Sequence, residues 1–289
     1  MENFRNGSKH KRHQYSIYKL IKVFHFSNLL LKNGPFIGIR SIVITKQGVT
    51  MYSSFTLGAD PELVCRLNGK FVQAHNYYKS NSSFGLDGCE SIAEVRPGFS
   101  ESPIDLTSKV YQIIEYGHTK QPDLEFIAGH FADDHALGGH IHFSISPNSD
   151  IIDALDTVLY SLSNVIDDRE QRSRREHCGY GKRRVYRNQP HGFEFRTPGS
   201  WLYSPATTLV TFTLAKLAVL GVTEDNLDFA SIKGRQHSLT FLRNLKNNLI
   251  TIPPDCNEGL KEMDLLLSKK LNWNQNILPN WGILTKEAA

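Results

Sequence analysis

Cysteine is scarce and scattered. The 289 residues hold four, Cys65, Cys89, Cys178 and Cys256, and none forms a CxxC pair. That spacing excludes a compact structural zinc site and a disulfide framework. A reducing, cytoplasmic setting is the expectation. Long apolar runs are missing too. The best stretch, Ile17 to Leu31, is interrupted by Lys19, Lys22 and His25, so neither a membrane span nor a signal peptide is expected. Acidic residues are nearly absent from the first fifty positions, where Glu2 stands against nine Lys/Arg. That segment therefore carries +8; the whole chain carries +4, which leaves −4 for the remainder. The basic character belongs to the N-terminal segment, and no nucleic-acid surface is expected in the body of the chain.

The composition changes at Met51. Upstream, residues 1–15 are polar and basic, with the character of a disordered segment, and Phe36 to Thr45 has strand composition. Residues 1–50 are read as a basic extension, either disordered or not translated, with Met51 as a candidate start. From Phe55 the patterning sharpens. Thr56 to Leu67 reads as a strand, Phe71 to Ala74 as its hairpin partner after Asn68-Gly69, and Ser91 to Arg96 as another strand closed by Pro97-Gly98. Two helices open with Ser-Pro, at Ser102-Pro103 and Ser204-Pro205, and are expected to end at Gly117 and Gly221. Ile151 to Ile166 has the period of an amphipathic core helix, and Ser238 to Leu249 and Glu258 to Leu271 look helical.

Four strand-like segments place polar residues at i and i+2, on one face: Asp60 and Glu62, Glu94 and Arg96, His140 and His142, Glu194 and Arg196. Their apolar neighbours, Leu63, Val95, Ile141, Phe143, Phe193 and Phe195, would face a core. A single such pair is what an alternating strand shows on its wet side. Four complementary pairs point to one face that holds cation ligands beside anion ligands. Oxygen donors dominate (Asp60, Glu62, Asp87, Glu94, Glu194), with one or two imidazoles, so Mg²⁺ or Mn²⁺ suits the set better than zinc. The stretch Arg169 to Arg187 holds Arg172, Arg174, Arg175, Lys182, Arg183, Arg184 and Arg187 around Gly179 and Gly181. It is either a solvated basic loop or a lid of positive charge over a polyphosphate.

Gly58-Ala59-Asp60-Pro61-Glu62, Gly85-Leu86-Asp87-Gly88, Ala93-Glu94-Val95-Arg96-Pro97, Gly138-Gly139-His140-Ile141-His142 and Gly192-Phe193-Glu194-Phe195-Arg196-Thr197-Pro198 occur in this order. Over Thr56 to Tyr203 the chain thereby resembles the phage-type COOH-NH2 ligases (amidoligases) of the glutamine synthetase and glutamate–cysteine ligase superfamily. The resemblance implies an α+β, glutamine-synthetase-like catalytic domain, with a curved, mainly antiparallel sheet and helices packed on one face. It implies a ligase core over 51–221 and a helical C-terminal part of the same domain over 222–289.

It also implies roles. Glu62, Asp87 and Glu94 resemble the ligands of a first divalent metal, with Glu90 competing for the Asp87 role. Asp60, His140 and Glu194 resemble those of a second, among the phosphates of ATP. Asp60 is shorter than the glutamate found there in glutamine synthetase. His142 looks like a nucleotide contact. Arg196 resembles the arginine that steadies the transferred phosphoryl group, and Arg184 and Arg187 resemble phosphate or substrate arginines. Arg196, Arg96 and Arg187 are the candidate catalytic arginines. The reaction implied is ATP-dependent joining of a carboxylate to an amine through an acyl phosphate. A metal-dependent hydrolase using the same His/carboxylate cluster, and a non-catalytic binding protein with a degenerate site, stay open on the residues alone.

Overall fold

The expected strand from Thr56 to Leu67 is interrupted at Asp60-Pro61, and that interruption shapes the molecule. Proline has no N–H to give to a ladder and restricts the residue before it. The computed structural model describes residues 42–45, 48–51 and 54–284; residues 1–15 and most of the expected strand at 36–45 lie outside them. In chain order the first elements are β1 (Ile42–Thr45), β2 (Gly48–Met51), β3 (Leu57–Ala59), β4 (Glu62–Leu67), β5 (Lys70–Val72), β6 (Phe84–Leu86), β7 (Ala93–Val95) and β8 (Phe99–Ser100). Then come helix α1 (Pro103–Lys120), β9 (Leu124–Ile127), β10 (Phe131–Ala132), β11 (His135–Ala136), β12 (Ile141–Phe143), α2 (Ser149–Ile166) and α3 (Arg169–His177). The last are β13 (Tyr186–Gln189), β14 (Gly192–Phe195), α4 (Pro205–Thr223), α5 (Phe229–Lys233), α6 (Ser238–Asn248) and α7 (Asn257–Leu266).

The fold is α+β, and its described strand pairs are antiparallel. One five-stranded sheet runs β13-β14-β12-β3-β8; a second holds β5-β4-β7-β6, with β9 also on β4. The two meet at Pro61. There the Glu62 N–H donates to the Gly138 carbonyl at 2.8 Å, and the Val95 N–H donates to the Pro61 carbonyl at 3.0 Å. The sheet expected as one curved surface is thus two halves joined by backbone bonds at the break. β1 and β2 form a separate hairpin.

The predicted inward residues Leu63, Val95, Ile141, Phe143, Phe193 and Phe195 are all fully buried. They share one core with α1, α2, α4 and the C-terminal residues Trp273, Ile277 and Trp281. Helix α4 is long and apolar enough to cross a membrane by length and composition, yet it is mostly buried inside the protein. Ser102 and Ser204 cap α1 and α4 as expected, the latter with a reciprocal Thr207 bond.

The two glycines expected to end these helices do not. α1 continues three residues past Gly117, and α4 two past Gly221. Each glycine instead admits an aromatic ring: a Cβ at Gly117 would stand 2.4 Å from Phe84 Cδ2, and one at Gly221 2.5 Å from Phe229 Cζ. This reverses the usual sign of a helix substitution. Gly→Ala inside a helix normally stabilises by about 1 kcal/mol. Gly117→Ala is expected to destabilise by about 1–3 kcal/mol, because the buried Phe84 ring must shift. Urea unfolding midpoints of the two proteins measure it.

Candidate active site

The break at Pro61 lets Asp60 and Glu62, on either side of it, reach the same place from different sheets. Across the ladders, His142 lies opposite both Gly58 and Glu194, Arg187 lies opposite Glu194, and Glu62 lies opposite Glu94. The four same-face pairs are therefore brought together. Two carboxylates directly opposite on neighbouring strands repel unless something positive lies between them.

Glu194 is fully buried and is the centre of one group. Its Oε2 accepts from Arg187 Nε and Gln189 Nε2, each at 2.9 Å, and its Oε1 from Arg196 Nη1 at 2.9 Å. His140 Nδ1 stands 3.3 Å from both Glu194 Oε1 and Asp60 Oδ1, and His142 Nε2 is 3.1 Å from Asp60 Oδ2. Asp60, His142 and Glu194 each offer a ligand atom within 4.8 Å of the others. Burial would raise the Asp60 carboxyl, but the adjacent His140 and His142 imidazoles outweigh it and hold it below the usual carboxylate range.

Glu62, Glu94 and Asp87 make the second group. Glu62 Oε2 accepts from the Gly138 N–H at 2.6 Å. Neither glycine before His140 has room for a side chain: a Cβ at Gly138 would lie 2.3 Å from His140 Nε2, and one at Gly139 2.1 Å from the Gly199 carbonyl oxygen. Burial raises Glu62. Glu94 is pushed up to about 8, by burial first and then by the charge of Asp60, with Asp87 and Glu62 adding and Arg96 opposing. Asp87 acts on both glutamates. Glu90, its competitor, is exposed in a left-handed turn conformation, φ 58°. Asp87 is the better-placed residue.

The arginines divide. Arg196 and Arg187 sit on Glu194. Arg96 pairs with Glu94, but its fork also donates to the carbonyls of Ser80, Ser82 and Leu86. It holds the loop before β6 rather than standing free. Arg184, expected at the phosphates, pairs instead with α2: its Nε lies 2.7 Å from Asp153 and its backbone N–H donates to Asp156 at 2.8 Å. The basic stretch is largely committed elsewhere as well. Part of it is the helix α3, and Arg183 pairs with Asp156, Arg174 with Asp134. A lid of free positive charge is not what it forms.

Sequence reasoning missed Tyr180, whose hydroxyl touches Glu62, His140 and Arg196, and His191, whose Nε2 lies 3.3 Å from His142 Nδ1. The flanking Gly179 and Gly181 were the available signal for Tyr180; His191 had none. A cavity of about 540 Å³ opens beside Asp60 and His142, walled by Gly58, Gly98, Phe99 and His191. Its size suits a small-molecule ligand.

The fold and the site define an α+β protein with an acidic, arginine-flanked face on which ligand atoms of Asp60, His142 and Glu194 lie within 4.8 Å of one another. Residues 57–284 match the family described as phage phiEco32-like COOH.NH2 ligase-type 2. The chain belongs to that family, a group of carboxylate–amine ligases, and the match runs well past Tyr203 into the C-terminal helices. A carboxylate and an amine are its substrates by class. No curated protein matches the sequence.

Proposed function

We propose that the protein is an ATP-dependent carboxylate–amine ligase working through an acyl phosphate with two divalent cations, Mg²⁺ or Mn²⁺, in the cytoplasm. The observation that carries this reading is the meeting of Asp60 and Glu194 at His140, whose Nδ1 lies 3.3 Å from an oxygen of each, beside the opposed Glu62 and Glu94. The donor set fits the cations. It is rich in oxygen, and Asp60 Oδ1 is buried without a hydrogen-bond partner. Glu62, Asp87 and Glu94 would hold one cation, and Asp60, His140 and Glu194 the other. When bound, such ions neutralise polyphosphate charge and orient the phosphoryl group.

The protein groups supply the rest. His142 forms the cavity wall on the side where a nucleotide would lie. Arg196, partly exposed beside Glu194, is placed to follow charge on a transferred phosphoryl group, with Arg187 next to it. The substrate carboxylate attacks the γ-phosphorus, ADP leaves, and an acyl phosphate results. The amine then attacks the acyl carbon, loses a proton, and inorganic phosphate departs. Arg96 acts by holding the Ser80–Leu86 approach and Glu94.

Calorimetry with ATP and Mg²⁺ tests this first. Nucleotide binding is expected with Mg²⁺ and lost on chelation. Phosphate release is then expected with a suitable acid and amine together, and not with either alone. Nucleotide-independent hydrolysis of an amide by the metal-loaded protein would contradict the reading.

A further inference from the structure

Tyr180 stands in the loop after α3, between Gly179 and Gly181, both in left-handed conformations (φ 76° and 72°). The loop lies hard against a buried side chain: a Cβ at Gly181 would be 2.0 Å from Arg175 Nη1. The Arg175 guanidinium lies 4.8 Å from the Tyr180 ring centre, and the ring meets that of His140 edge-on at 5.9 Å. The phenol oxygen has three partners: His140 Nε2 at 2.9 Å, Glu62 Oε1 at 3.2 Å and Arg196 Nη2 at 3.3 Å. Tyr180 thus touches both sets of proposed cation ligands.

The protons can be assigned by elimination. A phenol has one hydrogen to donate and two lone pairs to accept. Arg196 can only donate. Glu62, acting as a cation ligand, is a carboxylate and can only accept, so it takes the phenol hydrogen. The contact to His140 must then be an Nε2–H donating to the phenol oxygen. An imidazole with its hydrogen on Nε2 carries its lone pair on Nδ1, the atom that faces Asp60 Oδ1 and Glu194 Oε1. We infer that Tyr180 is a positioning residue: it holds His140 in the Nε2–H tautomer and so presents Nδ1 to a divalent cation between Asp60 and Glu194. This rests on the cation site proposed above.

The test needs no ligase activity. Histidine ¹⁵N shifts of the Mg²⁺-loaded protein are expected to show His140 with its proton on Nε2. Tyr180→Phe keeps the ring and removes the hydroxyl. It is expected to weaken Mg²⁺ binding by about 10–100-fold in calorimetry without nucleotide and to perturb the His140 shifts, with little change in the melting curve. In a His140→Ala background the same substitution is expected to add little further loss. A wild-type proton on Nδ1 under Mg²⁺ overturns the inference, as does unchanged Mg²⁺ affinity in Tyr180→Phe. If the Phe variant fails to fold, the wild-type tautomer alone decides. A wild type that binds no Mg²⁺ removes the proposed function itself, whereas a wild type and variant that bind equally remove the Tyr180 role alone.

Discussion

Glu94→Gln is expected to abolish ligation and to make the cation-free protein more stable at alkaline pH. The loss of activity follows from its place opposite Glu62 in the proposed first cation site. An amide is a poor ligand for a hard cation, and losing several kcal/mol of charge stabilisation corresponds to roughly a 10³-fold or greater fall in rate. The gain in stability follows from the same position read without a cation. Glu94 is nearly buried, 7% exposed, and its carboxyl is pushed from 4.5 up to about 8 by burial and by the charges of Asp60, Asp87 and Glu62. A carboxyl raised in the folded state binds its proton more tightly there than in the unfolded chain. Folding therefore loses stability as pH rises from about 4.5 to about 8, by a total on the order of a few kcal/mol. Glutamine keeps the shape and an oxygen for Arg96 but has no charge to bury. Thermal melts in chelator should coincide at pH 4.5 and separate at pH 8, with the variant higher. Coincident melts at both would sink the electrostatic account.

Arg175→Ala is expected to cost about 3–5 kcal/mol, comparable with much of a domain's total stability. The side chain is 1% exposed and, among the described residues, has no carboxylate as a hydrogen-bond partner. Its fork donates to the carbonyls of Thr197 (2.7 Å), Pro198 (2.9 Å) and Arg196 (3.4 Å). Burial lowers its pKa to about 10, which leaves it charged at neutral pH. Truncation removes a donor from three carbonyls, of which Pro198 keeps the Gly139 N–H at 3.0 Å, and opens a cavity. Arg175→Lys restores a charge but not a planar fork, so only part of the loss should return. Chemical denaturation of the three proteins measures the series. Equal midpoints would show that the strand exit beyond Glu194 holds without the clamp.

Much of the site was legible in the sequence because strand periodicity is local. Glu94/Arg96, His140/His142 and Glu194/Arg196 each declare a face by a spacing of two, whereas Asp60 and Glu62 meet across the strand break at Pro61. The six apolar partners of those pairs are buried as that spacing requires. Helix starts were legible for the same reason, since Ser102 and Ser204 act on residues within one turn. Helix ends were not, because Gly117 and Gly221 are explained by Phe84 and Phe229 from elsewhere in the chain. The arginine-rich stretch stayed open between two readings for a similar reason: arginines look alike along the chain, while their partners lie up to forty residues away, as Asp134 does from Arg174.

By itself, then, the sequence determined, through its ordered motifs, the family, and it named the carboxylates and imidazoles proposed as cation ligands. Tertiary structure decided which of them meet. It turned Arg184 to Asp153, committed Arg96 to loop carbonyls, and set Tyr180 among Glu62, His140 and Arg196. The physical reason is one of range. Backbone periodicity and caps act over a few residues, whereas the choice of partner for a charged side chain depends on which distant segments the core brings alongside it.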